Sequence, residues 1–201
     1  MKKRLFDIFC SSTILLLALP VFFIFFIIVK YSSHGPVFYG HPRIGLNGKP
    51  FLCWKFRTMF VDAEEKLEQL LDSDPIILQE WNTYYKLKID PRITPAGKWF
   101  RKFSLDELPQ LWNVLKGDMS MVGPRPLTQY EVTHILKHKS AKILSVRPGL
   151  TTVWIVRGRN RFTLKQRVKW EEFYIDHHCF FFDCRLIGQT IRTMIFPKGA
   201  Y

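Results

Sequence analysis

The chain is short of cysteine, of acidic residues and of nucleotide-binding glycine signatures, and each shortage removes a class of function. Its cysteines are Cys10, Cys53, Cys179 and Cys184. None has a partner at the two-residue spacing of a zinc ribbon or a dithiol catalyst, so both are excluded and reduced thiols are expected. No G-x-G-x-x-G occurs, and Gly40 to Gly45 has P-loop spacing but continues Leu46-Asn47 where Lys and Ser/Thr are needed. Rossmann and P-loop chemistry drop out. No internal repeat or low-complexity linker divides the 201 residues, and a chain that is 47% hydrophobic and 15% aromatic is not disordered. Asp and Glu number 17 against 30 Lys and Arg, a formal charge of +13 that asks for an anionic partner: nucleic acid, lipid headgroup or phosphorylated substrate.

One long apolar run is present. Ile8 to Val29 contains no charged residue and is long enough to cross a bilayer. A cleaved signal peptide fits badly, because Asp7 intrudes on the basic start Lys2-Lys3-Arg4, the run is too long and no Ala-x-Ala site follows. A spanning helix fits the charge badly. Residues 1–29 carry +2, which leaves +11 for the remainder, so both flanks read as cytoplasmic. Pro20 divides the run into Ile8–Leu19 and Val21–Val29, legs of about 18 and 14 Å, each too short for a core of about 30 Å. A helix-break-helix hairpin that enters and leaves one leaflet satisfies both observations; a kinked spanning helix stays open on these residues alone.

Beyond the run, the pattern predicts an α+β, mostly helical body. Val37-Phe38-Tyr39 and Phe51-Leu52-Cys53-Trp54 read as a β-hairpin around Gly45-Leu46-Asn47-Gly48. Helices are expected over Asp62–Asp72, from Pro75 to about Lys86, over Gly97–Lys102, from near Pro109 to Gly117, over Gln129–Leu144, from Thr163, and over Phe180–Phe196. The last has an apolar stripe flanked by Arg185 and Arg192 that suits an interfacial or a core helix equally. Val153–Val156 reads as a strand.

Among candidate sites, Asp72-Ser73-Asp74 has the D-x-D pattern of metal-dependent glycosyltransferases, although a cap before Pro75 explains it more simply. His134 and His138 lack the Glu of a zinc protease and lie among lysines. Asp106 and Glu107 are more informative. If Ser104 were an N-cap in a capping box with Glu107, Pro109 would fall past the first turn; a helix starting near Pro109 instead leaves both acids on the preceding loop. There they can supply a nucleophile and a second carboxylate for a metal or proton. Arg125 between Pro124 and Pro126, Lys55-Phe56-Arg57, and Arg157 to Arg161 offer cations in turn-like surroundings. Carboxylates among several cationic clusters suit transfer of a phosphorylated group.

These residues carry a family resemblance. Lys3-Arg4 with Asp7, Pro20, Arg43-x-Gly45, Lys55-Phe56-Arg57-Thr58-Met59, Asp90-Pro91-Arg92-x-Thr94, Ser104 to Gln110, Asn113-Val114, Met119 to Pro126 and Arg147-Pro148-Gly149 occur in one order. Over its whole length the chain resembles the bacterial monotopic phosphoglycosyl transferases, in a short form without a multi-helix membrane domain. The resemblance implies a reentrant membrane helix (residues 1–34), a catalytic domain (35–201) on the cytoplasmic face of the bacterial inner membrane, Mg2+, a UDP-sugar donor and undecaprenyl phosphate as acceptor. It implies Asp106 as nucleophile and Glu107 as supporting carboxylate, both near the metal. Lys55, Arg57, Arg92 and Arg125 are its phosphate-binding candidates. Membrane lipid is an expected partner and nucleic acid is not; a homodimer is left open. The tail departs from the pattern, with Thr151 to Arg159 reading TTVWIVRGR where relatives read Thr-Gly-x-Trp-Gln-Val-Ser-Gly-Arg, and with Glu171 where Asp is common. A hexose donor is favoured. The alternatives are a D-x-D glycosyltransferase releasing UDP and a membrane-tethered basic binding module.

Overall fold

A computed structural model describes residues 2–84, 87–158 and 162–196. The element order is α1 (Lys2–Ser32), β1 (Phe38–Ile44), β2 (Pro50–Phe56), α2 (Ala63–Ser73), α3 (Pro75–Tyr84), α4 (Pro95–Phe103), α5 (Gln110–Lys116), β3 (Ser120–Val122), α6 (Ser140–Ile143), β4 (Gly149–Thr151), α7 (Val153–Gly158), α8 (Leu164–His177) and α9 (Phe180–Ile195). This is the expected mostly helical α+β arrangement. β1 and β2 form the antiparallel hairpin, with Tyr39 opposite Lys55, and β3 pairs in parallel with β4.

Helix α1 runs without interruption through Pro20. The expected break into two helices is therefore corrected to one helix with Pro20 inside it: proline removes its own amide donor and crowds the carbonyl four residues earlier, which bends an apolar helix without ending it. One face of α1 packs on the body at both ends. Near the N-terminus, Asp7 is buried and its Oδ1 accepts from Ser120 Oγ and Met121 N, each at 3.0 Å. Arg4 donates to the carbonyls of Val114 (2.5 Å) and Leu115 (2.7 Å), adding side-chain donors at the C-terminal end of α5. Lys3 pairs with the buried Asp183. Near the C-terminus, Phe25 and Val29 join Val37, Phe56 and Phe100 in a core cluster. Between these ends the outer face is bare, with Leu16, Leu17, Leu19 and Phe23 exposed.

Two other expectations change. Val153–Val156 is the start of α7, and the strand lies just before it at Gly149–Thr151. The β-branched preference is local and weak; packing of α7 against α8 and α9, with Val153 and Trp154 buried, overrides it. The helix expected over Gln129–Leu144 is a wide π-helical turn (Glu131–Leu136), a 3-10 turn (Lys137–Lys139) and α6, because Lys137 adopts φ 47° and breaks the helical path. The helix from Thr163 is as expected, with Thr163 and Gln166 forming a capping box.

A few contacts place the site. Asn113 of α5 stands in for a neighbouring strand, accepting from Trp54 N (3.0 Å) and donating to Leu52 O (2.7 Å), which fixes β2 beside the loop before α5. Gly97 lets α4 approach the chain after β2: a Cβ there would lie 2.1 Å from the Thr58 carbonyl oxygen. Ile44 N donates to Leu127 O at 2.8 Å, drawing the Pro124-Arg125-Pro126 loop against β1.

Candidate active site

Ser104 ends α4 in the left-handed conformation (φ 57°) and its side chain forms no cap. The capping-box reading is thereby excluded and the loop reading holds. Leu105–Glu107 forms a single 3-10 turn before Pro109 and α5, and Asp106 and Glu107 both line a cavity of about 1430 Å³. That volume exceeds the roughly 300–1,000 Å³ of an ordinary small-molecule site, leaving room for two substrates.

β2 delivers Lys55 to this turn. Its Nζ lies 2.7 Å from Glu107 Oε1 and 3.9 Å from Asp106 Oδ2. Burial works to lower the Lys55 pKa, but Glu107 and Asp106 outweigh it and hold the ammonium above its ordinary value. Asp106 moves the other way for a carboxyl: burial raises its pKa, Glu107 adds to the rise, and Lys55 and Arg101 oppose it. A carboxylate held dry beside one ammonium is a strong nucleophile once ionised, because water does not mask it.

The four cations expected to hold phosphate separate into two groups. Lys55 and Arg125 face the cavity, and the Arg125 guanidinium is exposed 5.9 Å from the Trp154 ring. Arg57 and Arg92 also border it, but both terminal nitrogens of Arg57 and the Nε and Nη2 of Arg92 bind protein acceptors. Arg57 binds Ser33 Oγ (2.7 Å), Ser33 O (2.8 Å) and His34 O, closing the C-terminus of α1. Arg92 forms a two-pronged pair with Asp90 (Nε–Oδ1 2.8 Å, Nη2–Oδ2 2.7 Å) with both residues buried.

Sequence reasoning gave no site role to four residues here, although Arg43 and Glu171 stood within its motifs. Arg101 lines the cavity and is steadied through Nε by Thr58 Oγ1 at 2.9 Å. Arg43 lines it too, donating to Pro126 O (3.2 Å) and pairing with Glu131 (3.4 Å). Glu171 is buried and gathers three donors: Trp154 Nε1 (2.7 Å), Thr152 Oγ1 (2.9 Å) and the Arg125 amide (3.1 Å). Burial pushes its pKa up to about 7 against those hydrogen bonds. Trp154, held by Glu171, has the guanidiniums of Arg125 and Arg167 over its ring at 5.9 and 4.7 Å. A capped helix terminus could have flagged Arg101 in the last turn of α4; nothing local distinguishes Glu171 from Glu172 beside it.

The remaining motifs are structural. Asp74 Oδ1 accepts from Ile76 N (2.8 Å), so the D-x-D segment caps α3. His134 stacks on Tyr130. Arg159 and Arg161 of the basic 157–161 cluster lie outside the described residues.

The family profile described as Bacterial sugar transferase matches residues 1–197. The chain belongs to the bacterial sugar transferase family. This sugar transferase is 42% identical over 201 residues to the exopolysaccharide production protein ExoY of Rhizobium meliloti, covering all of this chain and 88% of that protein. It is 43% identical over 199 residues to the undecaprenyl-phosphate galactose phosphotransferase of Salmonella typhimurium, covering 99% of this chain but 41% of that protein. The UDP-glucose:undecaprenyl-phosphate glucose-1-phosphate transferase of Klebsiella pneumoniae is 35% identical over 215 residues, again across 41% of its length.

Proposed function

We propose that this sugar transferase moves a hexose-1-phosphate from a UDP-sugar to undecaprenyl phosphate, releasing UMP and starting assembly of a surface glycan. The observation that carries the proposal is the Asp106–Glu107–Lys55 cluster in a two-substrate cavity ringed by Arg43, Arg101 and Arg125. Ionised Asp106 attacks the sugar-bearing phosphorus of the donor, the bridging P–O bond breaks, and UMP leaves with the electron pair. The resulting phosphosugar-aspartyl ester is attacked by the lipid phosphate oxygen, which breaks the Asp106–phosphorus bond and restores the carboxylate. Lys55 and the arginines offset charge on the equatorial oxygens and orient the diphosphate, the main work in phosphoryl transfer.

Adjacent Asp106 and Glu107 fit Mg2+, which commonly takes one or two carboxylates together with substrate phosphates. Among the described residues no group of three or more His, Cys, Asp and Glu gathers as a metal site, so the other ligands would be donor oxygens or water. When bound, the ion supplies positive charge against the donor diphosphate.

The anchoring of α1 supports a reentrant helix, and the basic flanks on both sides of its apolar run support the cytoplasmic face. Asp7 and Val29 are about 33 Å apart along a straight helix at roughly 1.5 Å per residue, yet both are fastened to one folded body. A spanning helix would place them on opposite sides of the membrane. The exposed apolar residues between them suit lipid contact. The hexose preference follows the galactose and glucose named for two relatives.

The test is a donor screen read by UMP release. UDP-galactose or UDP-glucose labelled in the sugar should leave label on the wild-type protein without acceptor, and Asp106→Asn should carry none. Release of UDP, or equal turnover in Asp106→Asn, would overturn the proposal.

A further inference from the structure

The cavity that holds the carboxylates has a second wall that a polar donor does not need. Trp99 and Phe103 of α4 and Ile187, Ile191 and Ile195 of α9 line it. Each set has helical spacing, so each is one stripe of its helix. Trp99, Ile191 and Ile195 are about half or more exposed, unlike Asp183 and Leu186 nearer the start of α9, which are buried. Two contacts hold these stripes beside the reacting groups. Phe103 is followed directly by the turn carrying Asp106. Thr190, between Ile187 and Ile191, also lines the cavity and its hydroxyl meets that of Thr151 on β4 at 2.5 Å.

The charged side chains with donors or oxygens turned to the reacting groups come instead from β2, the 3-10 turn, Arg101 and Arg125, while Arg57 and Arg92 border the cavity with donors bound to protein. Apolar area left in water beside such a site is costly, at about 25 cal/mol per Å², and a nucleotide-sugar does not relieve it. Building on the proposed reaction, we infer that the α4–α9 stripe is the binding wall for the first isoprene units of the polyisoprenyl phosphate acceptor. The acceptor phosphate sits at Asp106 while its chain leaves between the two helices toward lipid. α9 is thus an acceptor-recognition element, beyond any role as an interfacial anchor.

The experiment uses the full chain in lipid nanodiscs with a diazirine-bearing polyisoprenyl phosphate, followed by peptide mapping. Adducts should fall on residues 187–195 and 99–103, and should be displaced by untagged polyisoprenyl phosphate but not by phosphatidic acid. Ile191→Asp, at an exposed position, should cut the adduct yield about tenfold and raise the acceptor KM by a similar factor. Donor-derived label on the protein should be unchanged. Ile191→Ser combined with Ile195→Ser gives the same readout if the charge disturbs folding. Adducts confined to the exposed face of α1, equal competition by phosphatidic acid, or an unchanged acceptor KM would overturn the inference. Crosslinking does not depend on turnover, so absence of UMP release in the wild type would sink the proposed reaction separately.

Discussion

Two layers of charge lie within a few residues of each other and do different work. Lys55, Arg101, Arg125, Asp106 and Glu107 face the cavity, while Arg57, Arg92 with Asp90, Asp7 and Glu171 hold the walls together. Lys55 lies within β2 and Arg57 just past its end, so strand alternation no longer ties the two side chains to one face: Lys55 turns to the carboxylates and Arg57 to the end of α1. The difference teaches that a conspicuous arginine beside a phosphate site can belong to the scaffold, and that its donors decide the matter.

The comparison can be broken by showing that a residue of one layer behaves like the other. Asp106→Asn should lower UMP release by on the order of 10⁴-fold or more, with the thermal midpoint retained; a matched loss of folding would place Asp106 in the scaffold. Breaking the buried pair with Asp90→Asn should cost about 3–5 kcal/mol in chemical unfolding and strand the Arg92 charge. Arg57→Met should cost about 2–4 kcal/mol by orphaning carbonyls at the end of α1, while donor KM in the folded fraction stays unchanged. A selective rise in KM would move Arg57 into the site.

Glu171 sharpens the comparison through pH. Its folded pKa of about 7 is above the ordinary 4.5, so the folded state holds the proton more tightly than the unfolded one. That contribution is present below pH 4.5 and fades as pH rises through 7, amounting to up to about 3 kcal/mol. Denaturation midpoints followed from pH 4.5 to 8 should therefore fall more steeply in wild type than in Glu171→Gln. The smallest effect expected is in Arg125→Lys: stability unchanged and donor KM raised about tenfold, since an ammonium lacks the planar fork. The acid limb of kcat/KM should stand above that of a free aspartate and move higher in Lys55→Met, because Lys55 opposes the rise at Asp106.

Much of this was legible along the chain. The hairpin, the helices α2 to α5, α8 and α9, and the carboxylate turn before Pro109 all follow from local spacing and breakers. The failures share a cause. Val153–Val156 has strand propensity but is helical through packing on α8 and α9, and the 129–144 segment loses its helix at Lys137. Arg57 and Arg92 looked equivalent to Arg125 because a linear pattern shows a guanidinium and not its acceptors.

The sequence by itself determined the family, the apolar length of α1, the asymmetry of charge around it, and the Asp-Glu pair with its preceding breakers. These are local properties, set by residue type and spacing. Only the tertiary structure decided that α1 is fastened at both ends, that Glu171 joins Trp154 to the Arg125 loop, and that α9 lines the same cavity as the carboxylates. Each depends on residues far apart in sequence meeting in space, where burial and donor geometry, rather than residue identity, settle which groups remain for chemistry.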